Sequence, residues 1–140
     1  MTTIKEGERF EGPSKTLNDA HFLAFSGLTG DAHPIHYDVE YAKGTRFGKP
    51  LAHGLLLASM TALGASSARE RIEGFVFLEQ GCKFLKPAVV GDTVRPTFTV
   101  EKIWEEGKRR YCRVATALVN QRGETLLEGF HLYAIMSHKK

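Results

Sequence analysis

The sequence predicts an α+β fold, an antiparallel sheet wrapped around one long central helix, and three observations lead there. Residues 50–68 carry no charged side chain, the mark of a helix buried on most of its sides. Beyond Gly74 the chain becomes a series of apolar or alternating segments joined by short Gly-containing turns, the pattern of an antiparallel meander. No Gly-rich strand-to-helix turn occurs, so no dinucleotide-binding unit is predicted. A chain of 140 residues matches a single domain spanning 1–140 and is long enough to bury a core.

The elements follow in order. Arg9-Phe10-Glu11 and the residues up to Thr16 read as a short edge strand. Thr16 then reads as a helix N-cap, with Asp19 three residues on as an approximate capping box. Phe22, Leu23, Phe25 and Leu28 give the first helix its apolar side, and Gly27 and Gly30 mark its end. Asp38 is placed to cap a second short helix through Tyr41 and Ala42 that stops at Gly44. Gly48-Lys49-Pro50 punctuates the chain before the central helix, which is expected to run from near His53-Gly54 to near Ser67. Leu56, Met60 and Leu63 keep helical spacing there, and Ala58, Ala62 and Ala65 form a flat side that a sheet can approach.

Strands are expected from Gly74 to Pro87 and from Thr93 to Val100. In the latter, Val94, Phe98 and Val100 face one way, and Thr93, Arg95, Thr97 and Thr99 the other. Pro96 cannot donate to a ladder and so marks an edge or a bulge. Glu105-Glu106-Gly107-Lys108 is a turn, followed by strands from Tyr111 to Val119 and from Leu126 to Met136. In the last strand Phe130, Leu132, Ala134 and Met136 share a face. Cys82 and Cys112 fall in strands and are read as buried thiols, too few for a disulfide framework.

Composition narrows the function. Hydrophobic residues make up 42% and charged residues 25%, an ordinary globular balance. The net charge of +3 is mild and its basic residues are scattered, so no nucleic-acid partner is expected. Residues 50–68 approach the length of a membrane span, but Pro50, His53, Gly54, Ser59, Thr61, Gly64, Ser66 and Ser67 dilute them, so no membrane partner is expected. The N-terminus lacks an apolar signal core, and a cytoplasmic location is the expectation.

Chemistry concentrates in Gly30-Asp31-Ala32-His33-Pro34-Ile35-His36, followed by Asp38. A carboxylate and an imidazole are a ready pair for proton transfer near neutral pH. Pro34 fixes its own φ and pushes His33 out of helical geometry, so Asp31 and His36 are expected on a stiff turn. Simpler roles exist for each residue. Asp31 suits a turn cap, and His36 alone suits a satisfied core imidazole. His33 serves equally well as a structural residue, His53 positions the helix start, and Ser59 suits packing. Lys83, Lys86, Arg69 and Arg71 fit a solvated surface as readily as a phosphate contact. The set His33, His36, Asp38 and His53 has no standard zinc spacing, and no metal is expected.

Three stretches resemble the MaoC-like, or (R)-specific enoyl-CoA hydratase, family of the hot-dog fold. Phe25-Ser26-Gly27 with Gly30-Asp31-Ala32-His33-Pro34-Ile35-His36 and Ala42 is similar to its hydratase motif. Phe47-Gly48-Lys49-Pro50 and Leu51-Ala52-His53-Gly54-Leu55-Leu56 resemble the approach to its central helix. Gln80, Phe84, Pro87, Val90, Gly91, Asp92 and Val94 match its strand-and-turn pattern. The resemblance spans nearly the whole chain, with two departures: the family often has Asn at the position of His33, and some relatives have Ser at that of Ala62.

The resemblance implies that Asp31 and His36 are catalytic, holding a water that adds across a trans-2-enoyl thioester. The backbone N–H of Gly54 would hold the thioester oxygen, where a helix N-terminus favours developing negative charge. His33, His53 and Ser59 complete the expected substrate contacts. An acyl-CoA is then the small-molecule partner, no cofactor is required, and the chain assembles at least as a homodimer. Two rival readings are an acyl-CoA thioesterase on the same fold and a non-catalytic acyl-CoA-binding subunit.

Overall fold

The computed structural model describes residues 3–136. Six strands form one antiparallel sheet: β1 (Arg9–Glu11), β2 (Lys15–Thr16), β3 (Phe75–Phe84), β4 (Thr93–Glu106), β5 (Arg109–Asn120) and β6 (Thr125–Ile135). Their order is β1-β4-β5-β6-β3, with β2 pairing β4 beside β1. The predicted meander is the unit β4-β5-β6, closed by the turns at Gly107 and at Asn120–Gly123. Pro96 sits where the edge changes hands: β1 pairs β4 from Thr97 onward and β2 pairs it at Thr93 and Val94. Between them the edge strand is interrupted, so the missing proline N–H leaves no ladder bond unmade there.

Three helices precede or face the sheet: α1 (Asp19–Thr29), α2 (Val39–Lys43) and α3 (Gly54–Ser59). The cap of α1 is Asn18, not Thr16. Asn18 Oδ1 accepts from the N–H groups of Ala20 and His21, and His21 Nδ1 accepts from Asn18 N–H at 3.0 Å. Thr16 is instead held in β2, its hydroxyl 2.7 Å from that of Thr93. The second helix is capped by Asp38 as expected, its Oδ1 accepting from Tyr41 N–H at 3.0 Å.

The central helix is far shorter than its charge-free sequence suggests: α3 has six residues and gives way to 3-10 turns at Leu63–Ala65 and Arg69–Arg71. Its own hydroxyls compete for backbone carbonyls. Ser59 Oγ donates to Leu56 O and Thr61 Oγ1 to Ala58 O, both at 2.7 Å, and Ala62 swings into extended geometry (φ −83°, ψ 112°). Side chains that bond carbonyls three residues back offer the backbone an alternative to continued helix. The charge-free run is only partly buried in the single chain, with Leu55 68% exposed.

The core divides into two clusters on the concave face. One packs α1 and α3 on the sheet through Leu17, Phe22, Leu57, Val94, Leu118 and Leu127. The other joins Phe10, Leu63, Phe98, Val100, Val114 and Tyr133. Burying a side chain such as Phe22, at 0% exposure, stabilises by roughly 1.5–3 kcal/mol. The alternation of Val94, Phe98 and Val100 toward the core is as predicted. On β6 the core face belongs to His131 and Tyr133, the opposite parity to Phe130 and Leu132. Cys112 is buried, whereas Cys82 is only half-buried because it lies on the terminal strand. Among the described residues no helix is long and apolar enough to cross a membrane.

Candidate functional site

The site is assembled from the end of α1, the turn after it and the chain entering α3. Gly30 closes α1 in the left-handed region (φ 82°), its N–H bonded to Ser26 O, a conformation that only glycine adopts cheaply. That turn releases Asp31, whose N–H bonds Thr29 Oγ1 at 3.2 Å. A 3-10 turn follows at Pro34–His36, with proline at its start and His33 as its cap. The predicted stiff, non-α-helical segment is therefore present, with His36 buried at its end.

Two contacts to Leu51, one from the backbone and one from the His36 ring, tie this turn to the segment that leads into α3. Leu51 N–H donates to Ile35 O at 3.0 Å, and His36 Nδ1 lies 2.6 Å from Leu51 O. A carbonyl accepts only, so Nδ1 of His36 carries hydrogen, and in the neutral ring the lone pair is on Nε2. That Nε2 faces Asp31 Oδ1 at 3.9 Å, too long for a direct hydrogen bond and suited to a bridging water. The Asp31 side chain is 56% exposed and the His36 side chain 10%, so the pair lies at a surface opening.

His53 backs the pair. Its ring stacks on His36 with centroids 3.7 Å apart, and its Nε2 lies 3.1 Å from Asp31 O and 3.0 Å from Ser26 Oγ. Burial first, and the neighbouring His36 second, hold His53 below the usual imidazole range, so a neutral ring is the form that packs there. Its Nδ1 is buried and has no hydrogen-bond partner. Asp31, His36 and His53 bring one ligand-type atom each within 4.8 Å of the others. The His53 nitrogen facing the Asp31 carbonyl carries hydrogen and acts there as a donor.

The remaining sequence-predicted residues are placed as follows. Gly54 is the first residue of α3, so its N–H has no carbonyl one turn earlier in the helix to bond. A Cβ built on Gly54 would sit 3.5 Å from the Phe84 ring of β3. His33 is exposed, and its Nδ1 accepts from Ile35 N–H at 3.2 Å, which commits that nitrogen to the turn. Ser59 lies five residues beyond Gly54 with its proton given to Leu56 O. The sequence motif included Ser26 without assigning it a role; its contact with His53 spans 27 positions and no local spacing announces it.

An antiparallel sheet around a short helix, with a carboxylate and an imidazole at the helix entrance, defines a hot-dog protein equipped for acid–base chemistry. The family model described as "MaoC like domain" matches residues 2–122. The (R)-specific enoyl-CoA hydratase of Rhodospirillum rubrum is 33% identical over 128 residues, covering 89% of this chain and 88% of the relative. That of Aeromonas caviae is 31% identical over 116 residues, covering 83% and 84%. The solved (R)-hydratase of Aeromonas caviae superposes with a TM-score of 0.84 at 27% identity, over 98% of this chain and 100% of that one. The chain belongs to the MaoC-like family of hydratases and dehydratases, a family of hydro-lyases.

Proposed function

We propose that the protein is an (R)-specific enoyl-CoA hydratase that also runs in reverse as a 3-hydroxyacyl-CoA dehydratase. The observation that carries this reading is the Asp31–His36 pair. An ionised Asp31 and a neutral His36 with its lone pair on Nε2 are two hydrogen-bond acceptors 3.9 Å apart. A water between them donates one hydrogen to each, which leaves its oxygen lone pairs free to attack. As the O–Cβ bond forms, one of the pair takes the water proton and the π electrons move toward the thioester oxygen. That oxygen develops charge against the Gly54 N–H. The pair then returns a proton to Cα. No electron is gained or lost overall, so the reaction needs no redox cofactor. His53 orients the pair through its stack on His36 and its bond to the Asp31 carbonyl, while His33 and Ser59 flank the bound thioester.

The functional unit in this reading is a homodimer. Strand β3 ends the sheet, and its Val76, Phe77 and Leu78 are each 45–53% exposed. Such a strand is a template for a second copy.

The test is loss of enoyl-thioester absorbance with crotonyl-CoA, beside a free-thiol assay and the Asp31→Asn variant. Hydration without thiol release is expected, falling by about two to four orders of magnitude in Asp31→Asn at unchanged melting temperature. A near-normal rate in that variant removes Asp31 from the chemistry, and thiol release makes the protein a thioesterase.

A further inference from the structure

A second group of polar side chains is buried beyond the catalytic pair. Thr61, His131 and Tyr133 are 3%, 4% and 7% exposed, and with Ala58, Ala62 and Phe77 they line a cavity of about 410 Å³. His131 Nε2 lies 3.3 Å from Thr61 Oγ1, and His131 Nδ1 lies 2.9 Å from Tyr133 Oη. The proton positions follow from the one fixed acceptor. Thr61 spends its only hydroxyl hydrogen on Ala58 O, at 2.7 Å. Its oxygen can then only accept from His131, so Nε2 carries the hydrogen. Burial pushes His131 down to about 4 and Tyr133 up to about 12, so the imidazole stays neutral and the phenol stays protonated. His131 Nδ1 therefore has a lone pair, and the tyrosine hydroxyl donates to it. Every hydrogen in the chain Tyr133–His131–Thr61–Ala58 is committed. What the group still offers is lone pairs, those of Tyr133 Oη first.

The cavity lies along the same face of β3 as the Phe84 ring that packs on Gly54. Gly54 lies against Phe84 near one end of β3, and Phe77 lines the cavity seven residues earlier on the same strand. The bulge between Phe77 and Glu79 reverses the side-chain alternation, which pairs Phe77 with Tyr133 and Gln80 with His131 on one face. At 1.5 Å per residue, α3 carries the chain about 8 Å from Gly54 to Ser59, and Thr61 follows two residues on. A thioester held at Gly54 would send its acyl chain along this face.

We propose that Thr61, His131 and Tyr133 form a hydrogen-bond acceptor at the inner end of the acyl cavity, so that the preferred acyl group carries a hydroxyl at the far end of a medium-length chain. This rests on the hydratase reading for the direction of the chain. A plain alkyl chain leaves the acceptor dry and unpaired, and a terminal carboxylate meets the lone pairs of these three buried residues. An unmet buried polar group of this kind discriminates by roughly ten- to a hundredfold.

Saturated thioesters read this without turnover. Calorimetric titration of the full-length protein with 8-hydroxyoctanoyl-CoA, octanoyl-CoA and the CoA monothioester of octanedioic acid is the experiment. The hydroxylated thioester is expected to bind at least tenfold more tightly than either of the others. The double variant His131→Leu with Tyr133→Phe is expected to prefer octanoyl-CoA. Equal binding of the three by the unaltered protein, or a preference for the plain or carboxylated chain, overturns the proposal whether or not the variant folds. The corresponding 2-enoyl thioesters separate the two readings. Preferential binding without hydration leaves the acceptor standing and removes the hydratase. Hydration without preference does the reverse, and absence of binding by all three removes both.

Discussion

His36 is usable as a base because of a backbone carbonyl fifteen positions away. The contact from Nδ1 to Leu51 O at 2.6 Å fixes the tautomer, and the tautomer decides that Nε2 faces Asp31 with a lone pair. Asp31 and His36 were legible in the sequence because they sit five residues apart on a proline-stiffened turn. The contact that sets the His36 tautomer was not, nor was the link between His131 and Thr61, which spans 70 positions. On β6 the face containing Phe130 and Leu132 looked the more apolar, yet the core face carries the imidazole. That choice has a consequence for stability. His131 falls from 6.5 in the unfolded chain to about 4 when folded, because burial penalises its charged form. Between those values the unfolded state binds more protons, so stability is complete above pH 6.5 and declines as pH falls toward 4. At full extent the loss is about 3 kcal/mol. Thermal melts from neutral pH down to pH 4 are expected to fall steadily, and less steeply in His131→Leu. His53 shifts in the same direction and leaves a residual slope. Identical slopes in both proteins would show that His131 does not carry the effect.

Each element is placed by a few positions where the backbone has no room or no alternative. Strand existence was legible from alternation and turns, and β4 and β5 only proved longer than expected. The length of α3 was not legible, because a run without charge does not by itself specify helicity. Its limit was written in Ser59 and Thr61, whose hydroxyls take the carbonyls a longer helix would use. Glycines show the same dependence on surroundings. On β6, Gly129 pairs with Thr116 of β5 and Cys82 of β3. A Cβ there would run into the Gly81 carbonyl oxygen and lie 2.7 Å from Cys82 Cα. On α1, Gly27 is exposed and a Cβ would meet nothing within 4 Å. One substitution should therefore act in opposite directions. Gly129→Ala is expected to cost about 2–4 kcal/mol through forced separation of β3 from β6. Gly27→Ala is expected to add about 0.5–1 kcal/mol by helix propensity. Urea unfolding of the two variants checks both signs. A neutral Gly129→Ala would mean that β3 shifts freely on β6, and would loosen the register on which the cavity depends.

At the scale of the whole molecule, the sheet has one well-covered end and one open end. The β1 and β2 side is short and interrupted, and Arg95–Glu11 at 3.5 Å places an ion pair there, as protected edges tend to have. The opposite end is β3, ten residues long, with its Val76, Phe77, Leu78 and Phe84, and Leu85 just after it, between 45% and 53% exposed. Only Glu79 and Lys83 bring charge to that strand. Phe84 also walls Gly54, and Phe77 also walls the inner cavity, so whatever covers β3 also borders both. A second copy meeting β3 about a twofold axis would cover both stretches at once, since an isologous contact uses the same patch on each partner. Leu78→Glu places like charges near that axis and buries them on association. The unaltered protein is expected to sediment as a dimer and the variant as a monomer of unchanged secondary structure, with hydratase activity falling as the dimer dissociates. A variant that remains dimeric, or a monomer with full activity, would show that the cavity is closed by this chain alone and that β3 is not the interface.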